Sequence, residues 1–342
     1  MLSNHTISGL FNAFNDLKVL IVGDVMIDAN LFGKVERISP EAPVPIVLIE
    51  NRKSLLGGAA NVALNIKSMG AIPIMCSIIG TDTRGDEFLQ LMEDQNMRND
   101  GIIRSSFRPT TTKYRVIGNK MQMLRVDEEI DTDLTEEESN QFLKRIEEII
   151  EAEKVDVIIF EDYNKGVLTA KVIEKVIALA NKLGIPTTVD PKKKNFDQYN
   201  QVTLFKPNLK ELREGLKIDV NPEDPASLTN ALNLLQEKQQ IKIAMTTLSE
   251  YGVFIRGLDS DKNESYFQIP AHRRAITDVS GAGDTVISVA SLCLALNQHI
   301  ALIAALSNLA GGLVCEHIGV VPVNRERLMK ETTLLLQDYF SL

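Results

Sequence analysis

The sequence predicts an α/β protein with a mostly parallel central sheet and helices on both faces of that sheet. Short, mainly apolar runs alternate along the chain with segments whose apolar residues recur at helical spacing. Continuous apolar runs are typical of strands that are covered on both faces, as in parallel sheets. The runs occupy residues 18–24, 72–79, 155–160, 186–190 and 241–246.

Helical periodicity fills the intervals between these runs. The helical segments are residues 59–69, 85–97, 136–152, 170–183 and 226–237, followed by a longer stretch at 282–316 that can form two helices. Strands and helices that alternate in this way favour units in which each helix connects two parallel strands. We therefore expect a single domain that spans residues 1–342.

Two regions interrupt the alternation and predict a small β lid. Residues 43–50 read as extended chain, and so do residues 110–117 and 121–126, with no helix between the last two. Gly118-Asn119 is a favourable hairpin turn. We interpret these segments as strands inserted at about residues 29–52 and 101–127, which cover one face of the main sheet.

Composition and charge exclude several classes of partner. The chain has 342 residues, 44% of them hydrophobic, and a formal charge of -9 with no long basic run. Nucleic acids and anionic membranes attract clustered Lys and Arg, so neither is expected as a partner. The three cysteines are far apart and lack metal-ligand spacing, which indicates free thiols in a reducing cytoplasm.

Common nucleotide and metal signatures are missing from the sequence. It contains no P-loop pattern, no HExxH, and no glycine fingerprint for dinucleotides after its first strand. The HRD and DFG elements of protein kinases are also absent. A phosphate-binding site in this chain must therefore be of another kind.

The segment DVSGAGDTV at residues 278–286 is the strongest candidate for such a site. Asp284 falls in the first turn of a predicted helix, where backbone N–H groups are unpaired and glycines permit close approach of an anion. A carboxylate beside an anion hole can accept the proton of an attacking hydroxyl. The motif alone also fits a helix cap by Asp278 or Ser280, with Asp284 complementing the helix dipole.

Two sequence signatures that occur in the same order as in a known family favour a catalytic role for Asp284 over a helix cap. GGAANVALN at 57–65 and DVSGAGDTV resemble the two signatures of the ribokinase-like, or PfkB, family of sugar kinases. Further segments resemble the kinase domains of bacterial ADP-heptose synthesis enzymes, and the similarity extends over about residues 17–327. They include GDVMIDANLFGKVERISPEAPVPIV at 23–47, TTTKYRV at 110–116, QMLRVDEE at 122–129, EDYNKGVL at 161–168 and KPNLKE at 206–211.

The resemblance implies a ribokinase-like three-layer sandwich with a mostly parallel central sheet and a β-strand lid. It also implies ATP- and Mg2+-dependent phosphorylation of the anomeric 1-hydroxyl of D-glycero-D-manno-heptose 7-phosphate, with a monovalent cation common in the family. We expect no C-terminal nucleotidyltransferase domain within these 342 residues. The alternatives are another sugar or sugar phosphate as acceptor, or a non-catalytic sugar- or nucleotide-binding regulator.

The family roles transfer to matching positions of this sequence. Asp284 matches the catalytic base, and the N–H groups of Gly281, Ala282 and Gly283 match the anion hole. The positions that match sugar-binding residues are Asp28, Gly57, Gly58 and Asn61. Capping and tight packing at the start of a helix would also explain these residues.

A second group of positions matches the nucleotide site. Asn208 and Glu211 match an NxxE element that orients magnesium-bound phosphates, Glu211 through water. Thr247, Ser249, Gly252 and Asn308 match nucleotide contacts, Asn308 in the adenine pocket. Ser249 and Ser288 stand where the family usually has glycine, and Ser280 where threonine is common.

An acceptor that already carries a phosphate needs cations away from the reacting hydroxyl. Candidates are Lys113, Arg115 and Arg125 on the predicted hairpin, and Lys165, with Asp162 as a contact to a sugar hydroxyl. A two-residue turn pairs Lys113 with Leu124, whereas a three-residue turn pairs it with Arg125.

Two further expectations concern neighbouring surfaces. Lys192, the first lysine after Pro191, is a candidate contact to nucleotide phosphates, although such lysine runs are mostly solvated surface. By analogy with other exposed lid strands, the lid can pair two subunits into a homodimer.

Overall fold

The computed structural model describes residues 4–258, 264–272 and 274–339. Its strands are β1 Lys18–Gly23, β2 Val25–Ile38, β3 Pro45–Gly58, β4 Ile72–Gly80, β5 Ile102–Ser105, β6 Thr112–Gly118, β7 Met121–Glu128, β8 Val157–Glu161, β9 Thr187–Asp190, β10 Leu204–Phe205, β11 Ile243–Thr247, β12 Val253–Leu258 and β13 Glu264–Ile269. Its helices are α1 Asn4–Ala13, α2 Ala59–Ser68, α3 Thr83–Asp94, α4 Glu136–Ala152, α5 Ala170–Leu183, α6 Leu209–Leu216, α7 Pro225–Gln239, α8 Ala282–Ala295, α9 Ile300–Val314 and α10 Arg325–Tyr339.

The central sheet has nine strands in the order β13-β12-β11-β10-β9-β8-β1-β4-β5. The seven strands from β11 to β5 are parallel, and β12 and β13 add an antiparallel edge. The sheet therefore has one edge at which the carboxyl ends of its parallel strands meet. This arrangement confirms the predicted α/β class.

Helices cover both faces of the sheet and form a separate apolar core on each. Along β1, Val19 and Ile21 pack into the core under α2, α8 and α9, whereas Leu20 and Val22 pack into the core under α4, α5 and α7. This alternation follows from the two-residue period of a strand. The result is three layers, with α8 and α9 so apolar that they are buried on nearly all sides.

A second sheet of four strands, in the order β3-β2-β6-β7, forms the lid. The strand β5, at Ile102–Ser105, pairs with β4 in the central sheet, so the prediction that the lid includes the whole of residues 101–127 is wrong. Within the segment, β6 and β7 belong to the lid.

None of the helices among residues 4–258, 264–272 and 274–339 is both long and apolar enough to span a bilayer.

The register of the lid hairpin differs from both predicted alternatives. Its turn is Asn119-Lys120, where both residues have positive φ, and not Gly118-Asn119. A bulge between Val116 and Ile117 then shifts the pairing by one more residue. Lys113 therefore lies opposite Asp127, and Arg115 lies opposite Arg125.

Two buried carboxylates hold the loop that follows β8. Asp24 accepts hydrogen bonds from the backbone N–H groups of Tyr163, Lys165 and Val167 at 2.9, 3.1 and 3.0 Å. Asp162 is fully buried and accepts from the side chains of Asn195 and Tyr199 at 3.0 and 2.8 Å, and from Asn164 N–H.

Asp162 makes the stability of the fold depend on pH. Burial, followed by the charge of Asp24, raises the pKa of its carboxyl from 3.8 to about 6. The folded state therefore binds this proton more tightly than the unfolded state, so Asp162 reduces stability as the pH rises from about 4 to 6.

We predict that Asp162→Asn removes this dependence. Relative to the variant, the wild type should lose about 2.5 kcal/mol of unfolding free energy between pH 4 and pH 7, most of the equivalent of the pKa shift. Urea unfolding of both proteins across that range measures the difference. A difference that does not change with pH would contradict the prediction.

Candidate active site

Asp284 lies in the first turn of α8, at the centre of the candidate site. The helix is preceded by Gly281, whose φ of 78° is left-handed and favours glycine. A Cβ at Gly281 would also lie 2.9 Å from the side-chain nitrogen of Asn61. The GAGD turn therefore brings backbone N–H groups and a carboxylate together at one helix N-terminus, as the sequence predicted.

Two side chains from distant parts of the chain hold the Asp284 carboxylate. Asn61 Nδ2 donates to Oδ2 at 2.7 Å, and the Tyr163 hydroxyl donates to Oδ1 at 2.8 Å. Burial raises the pKa of Asp284, and both hydrogen bonds oppose that rise by stabilising the carboxylate. Asn61 thus contacts the candidate base, while its predicted contact with a sugar stays a prediction.

The glycine pair at the end of β3 makes room for one carboxylate and one backbone carbonyl. A Cβ at Gly57 would lie 2.7 Å from Asp28 Oδ2. Gly58 has a φ of 60°, and a Cβ there would lie 2.5 Å from the backbone oxygen of Asp24. In this structure both glycines permit close packing against β2 and the preceding turn, and their predicted approach to a sugar stays a prediction.

Asp28 projects from β2 where the lid strands leave the core. It is buried, and its Oδ1 accepts a hydrogen bond from Arg115 Nη1 on the neighbouring strand β6. Arg115 was a candidate for binding an acceptor phosphate, but here it pairs with the candidate sugar-binding carboxylate. The two form a charged pair at the base of the lid.

Three of the predicted phosphate-binding cations lie around two acidic residues. Lys113 Nζ lies 3.2 Å from Asp127 and 2.9 Å from Glu129. Lys165 contacts Glu129 at 2.7 Å, and Arg125 makes two hydrogen bonds of 2.9 Å to Asp127. We call these five residues the lid ionic group. Three cations share two carboxylates, which leaves an excess positive charge.

Asp162 does not lie with the lid ionic group. Its carboxylate points to Asn195 and Tyr199 in the interior. The structure gives it a role in positioning the loop, and its contact with a sugar hydroxyl stays a prediction that this arrangement does not favour.

A buried acidic cluster lies beside the anion hole, and sequence reasoning did not identify it. Glu161 ends β8, Asp190 ends β9, and oxygen atoms from these two residues and Asp284 lie within 4.8 Å of one another. Asp190 Oδ2 pairs with Lys206 Nζ at 2.7 Å, and both side chains are almost fully buried. Glu161 directly follows one predicted strand and Asp190 ends another, and these positions could have indicated them.

The predicted nucleotide-binding pair Asn208 and Glu211 forms a capping box at the start of α6. Asn208 Oδ1 accepts from Glu211 N–H, and Glu211 Oε2 accepts from Asn208 N–H, both at 2.9 Å. The other oxygen of Glu211 contacts Lys192 at 2.7 Å, and Lys192 also lies 3.4 Å from Asp190. Lys192 therefore links the NxxE element to the acidic cluster, and is not a solvated surface lysine.

The remaining candidates for contact with a nucleotide are Thr247, Ser249, Gly252 and Asn308. Thr247 pairs with Asn208 in a single parallel bridge. Ser249 has a φ of 52°, so the serine adopts a left-handed conformation at a position where the resemblance expects glycine. A Cβ at Gly252 would overlap Ile269 O at 2.0 Å, and Asn308 donates to Pro270 O at 2.9 Å.

Ser288 is accommodated within α8. Its hydroxyl donates to Asp284 O, one turn earlier, at 2.6 Å. The hydroxyl is thus satisfied inside the helix, and it is directed at the backbone of the candidate base and not into the site.

Comparison with known sequences places the chain in a family. A model described as pfkB family carbohydrate kinase matches residues 16–327. The chain is 36% identical over 311 residues to the bifunctional protein HldE of Helicobacter acinonychis, covering 91% of this chain and 65% of that protein. It is 38% identical over 315 residues to the bifunctional protein HldE of Methylobacillus flagellatus, covering 92% of this chain and 62% of that protein.

Solved structures confirm the ribokinase-like fold. The phosphofructokinase-2 of Escherichia coli in complex with potassium superposes with a TM-score of 0.75 at 18% identity, over 94% of this chain and 99% of that one. The Arabidopsis thaliana ribokinase complexed with ribose and ATP gives a TM-score of 0.68 at 14% identity, over 92% and 99% of the chains.

The chain spans slightly less than two thirds of the length of these curated relatives. Its family model nevertheless covers most of this chain, including both signatures and the residues around Asp284. The protein belongs to the pfkB family of carbohydrate kinases.

Proposed function

We propose that the protein transfers the γ-phosphoryl group of ATP to the anomeric 1-hydroxyl of D-glycero-D-manno-heptose 7-phosphate, in the synthesis of ADP-heptose. The observation that carries the proposal is Asp284, a carboxylate held by Asn61 and Tyr163 at the N-terminus of α8. The segments that resemble the kinase domains of ADP-heptose synthesis enzymes support the choice of acceptor.

The lid ionic group supports an acceptor that carries a phosphate. Lys113, Lys165 and Arg125 lie together, and their positive charge exceeds that of Asp127 and Glu129. A phosphate dianion can replace the carboxylates as their partner and gain charge-assisted hydrogen bonds. In this proposal the carboxylate of Asp28, which is paired with Arg115 at the base of the lid, accepts hydrogen bonds from hydroxyl groups of the sugar.

On the donor side, the residues present fit a magnesium nucleotide. ATP supplies the phosphoryl group, and Mg2+ neutralises its charge when bound. Glu211 would hold the ion through water, and the oxygen-rich set of Asp190 and Glu161 lies nearby, linked to Glu211 by Lys192. Lys192 and Lys206 bring positive charge to the same edge of the sheet.

In the proposed reaction the acceptor oxygen attacks the γ-phosphorus in line with the leaving oxygen of ADP. The bond from the acceptor oxygen to phosphorus forms as the phosphorus–oxygen bond to ADP breaks. Asp284 accepts the proton of the sugar hydroxyl, and the N–H groups of Ala282 and Gly283 stabilise charge on the transferred group. Lid strands over the acceptor exclude water, which would otherwise compete with the sugar.

Two further parts of the proposal concern a cation and a second subunit. A monovalent cation near the anion hole agrees with the potassium complex of the Escherichia coli phosphofructokinase-2. A homodimer through the lid is supported by apolar side chains exposed on the lid strands, namely Leu48, Leu124 and Val126.

The first test replaces the candidate base. Asp284→Asn keeps the size of the side chain but cannot accept the proton, so kcat for phosphorylation of heptose 7-phosphate should fall by about a thousand-fold. ADP release measured with a coupled assay reports the rate. Asp219→Asn, at a solvent-exposed carboxylate that is not part of the candidate site, is the matched control and should keep the wild-type rate.

Two outcomes would separate the parts of the proposal. Wild-type activity on a different sugar phosphate, with none on heptose 7-phosphate, would overturn the acceptor and leave the role of Asp284 intact. Undiminished activity of Asp284→Asn in a folded protein would overturn the mechanism.

The second test removes cations of the lid ionic group. Lys113→Ala and Arg125→Ala should each raise KM for heptose 7-phosphate by about ten-fold or more, because each removes a charged partner of the phosphate. KM for ATP should stay within two-fold. Lys144→Ala, at an exposed lysine of α4, is the control.

Unphosphorylated heptose provides the contrast for this test. If the cations bind the acceptor phosphate, the variants should use unphosphorylated heptose as well as the wild type does. Equal losses with both sugars would show that the lid cations support folding of the lid and do not select the phosphate.

A further inference from the structure

One short loop contacts two separate parts of the candidate site. The loop comprises residues 163–167 and comes shortly after β8. The hydroxyl of Tyr163 donates to Asp284 at 2.8 Å, whereas the ammonium group of Lys165 lies 2.7 Å from Glu129 in the lid ionic group. A very short piece of backbone therefore connects the proposed base with the proposed partners of the acceptor phosphate.

The side chain of Asp24 fixes the backbone of this loop. Its buried carboxylate accepts hydrogen bonds from the N–H groups of Tyr163, Lys165 and Val167, at 2.9, 3.1 and 3.0 Å. Burial raises the pKa of Asp24, and these three hydrogen bonds and the charge of Arg108 oppose the rise by stabilising the carboxylate. Hydrogen bonds to a charged group are stronger than neutral ones, so the loop is held firmly along its length.

Other contacts leave the loop little space to move. A Cβ at Gly166 would lie 1.9 Å from the carbonyl oxygen of Thr132, so the backbone of the loop lies directly against another segment. The ammonium group of Lys192 lies over the ring of Tyr163, 5.5 Å from the ring centroid. The positions from which Tyr163 and Lys165 extend are therefore fixed relative to each other.

We propose that the 163–167 loop selects acceptors by their length, with Asp24 and Tyr163 as positioning residues. Tyr163 orients the base at the reacting hydroxyl, Lys165 belongs to the cations at the acceptor phosphate, and Asp24 fixes the spacing between the two. This inference rests on the proposed function and deepens it, because it assigns the choice among sugar phosphates to one loop. An acceptor that is one carbon shorter reaches only one of the two ends in a productive position.

The experiment compares heptose 7-phosphate with mannose 6-phosphate. The second sugar has the same ring configuration but lacks one carbon between the ring and the phosphate. The ratio of kcat/KM for the two acceptors measures discrimination, and this ratio does not depend on how much of the enzyme is folded. The wild type should prefer heptose 7-phosphate by about a hundred-fold, the usual cost of a misplacement of about 1 Å.

Asp24→Asn tests the spacing. The amide can accept hydrogen bonds through only one of its two terminal atoms, so it cannot hold all three N–H groups of the loop. The backbone oxygen of residue 24, which accepts from Ala59 N–H at 2.9 Å at the start of α2, is unchanged. Discrimination should fall by about ten-fold or more, with a higher KM for heptose 7-phosphate, a lower kcat, and KM for ATP within two-fold of the wild type.

Tyr163→Phe and Lys165→Met separate the two ends of the loop. Tyr163→Phe removes only the hydroxyl that orients the base, so kcat should fall by about ten-fold while KM for heptose 7-phosphate stays within two-fold. Lys165→Met removes a partner of the phosphate, so this KM should rise by about ten-fold while kcat stays within two-fold.

Asp156→Asn is the matched control. The carboxylate of Asp156 also accepts from a backbone N–H group, that of Lys18 at 2.9 Å, but it precedes β8 and lies at the opposite end of that strand from the loop. This variant should keep the wild-type discrimination and both KM values.

Three results would overturn the proposal. One is a wild type that uses both acceptors equally well. Another is an Asp24→Asn protein with the wild-type discrimination and KM, even at a lower apparent rate, which would mean that Asp24 serves folding alone. The third is a Tyr163→Phe protein with the wild-type kcat.

Failure of the proposed function gives a different result. If the wild type phosphorylates another sugar phosphate and not heptose 7-phosphate, the acceptor named above is wrong. The same variants are then compared on that acceptor and on the homologue that differs from it by one carbon, and the same three results decide the role of the loop.

Discussion

The carboxyl ends of four neighbouring parallel strands meet at one edge of the central sheet. Each of these strands ends at, or is followed by, a buried charged side chain. Because water hardly reaches these side chains, they must be stabilised by one another. Asp24 follows β1, Glu161 ends β8, Asp190 ends β9, and Lys206 follows β10. All four side chains are almost fully buried. Because unpaired buried charge is costly, the ion pair between Asp190 and Lys206 fixes the geometry on which the neighbouring groups depend.

The candidate site around Asp284 is assembled from distant parts of the chain around this edge. Asn61, at the start of α2, reaches Asp284, which lies 223 residues later. Tyr163 reaches the same carboxylate because Asp24 binds the backbone of its loop. A helix N-terminus alone would bind an anion, and these contacts add a carboxylate of fixed orientation beside it.

The buried strands β1, β4, β8, β9 and β11 could be predicted to within two residues, because their continuous apolar runs have abrupt ends, whereas the two-residue strand β10 is too short to show such a run. The edge strand β13 was not predicted, since it alternates between half-buried and exposed positions and lies in a polar stretch. The predicted lid register was wrong for two reasons: the turn lies at Asn119-Lys120 and not at Gly118-Asn119, and a single-residue bulge, which is not visible as a pattern of residue types, shifts the pairing further.

The position of Asp284 in the first turn of a helix could be predicted because a motif signals it, whereas positions that only strand geometry decides were predicted less well. Glu161 and Asp162 are adjacent and chemically similar, so their residue types cannot distinguish them. Consecutive residues of a strand point to opposite faces. Glu161 therefore lies with Asp284, whereas Asp162 lies with Tyr199 on the other side of the sheet.

The lid strands are continuous with the core, and this determines how the lid can deform. β2 and β3 each run for 14 residues from the core into the lid without a loop, interrupted by irregularities between Phe32 and Gly33 and between Val35 and Arg37. Because no loop separates the lid from the core, the lid can move only if β2 and β3 bend. Such bending moves the residues near Asp28 and Lys113, where the lid strands leave the core, less than the residues of the Asn119-Lys120 turn. An acceptor bound near the base of the lid, as proposed above, would therefore meet a surface that changes little while the turn moves.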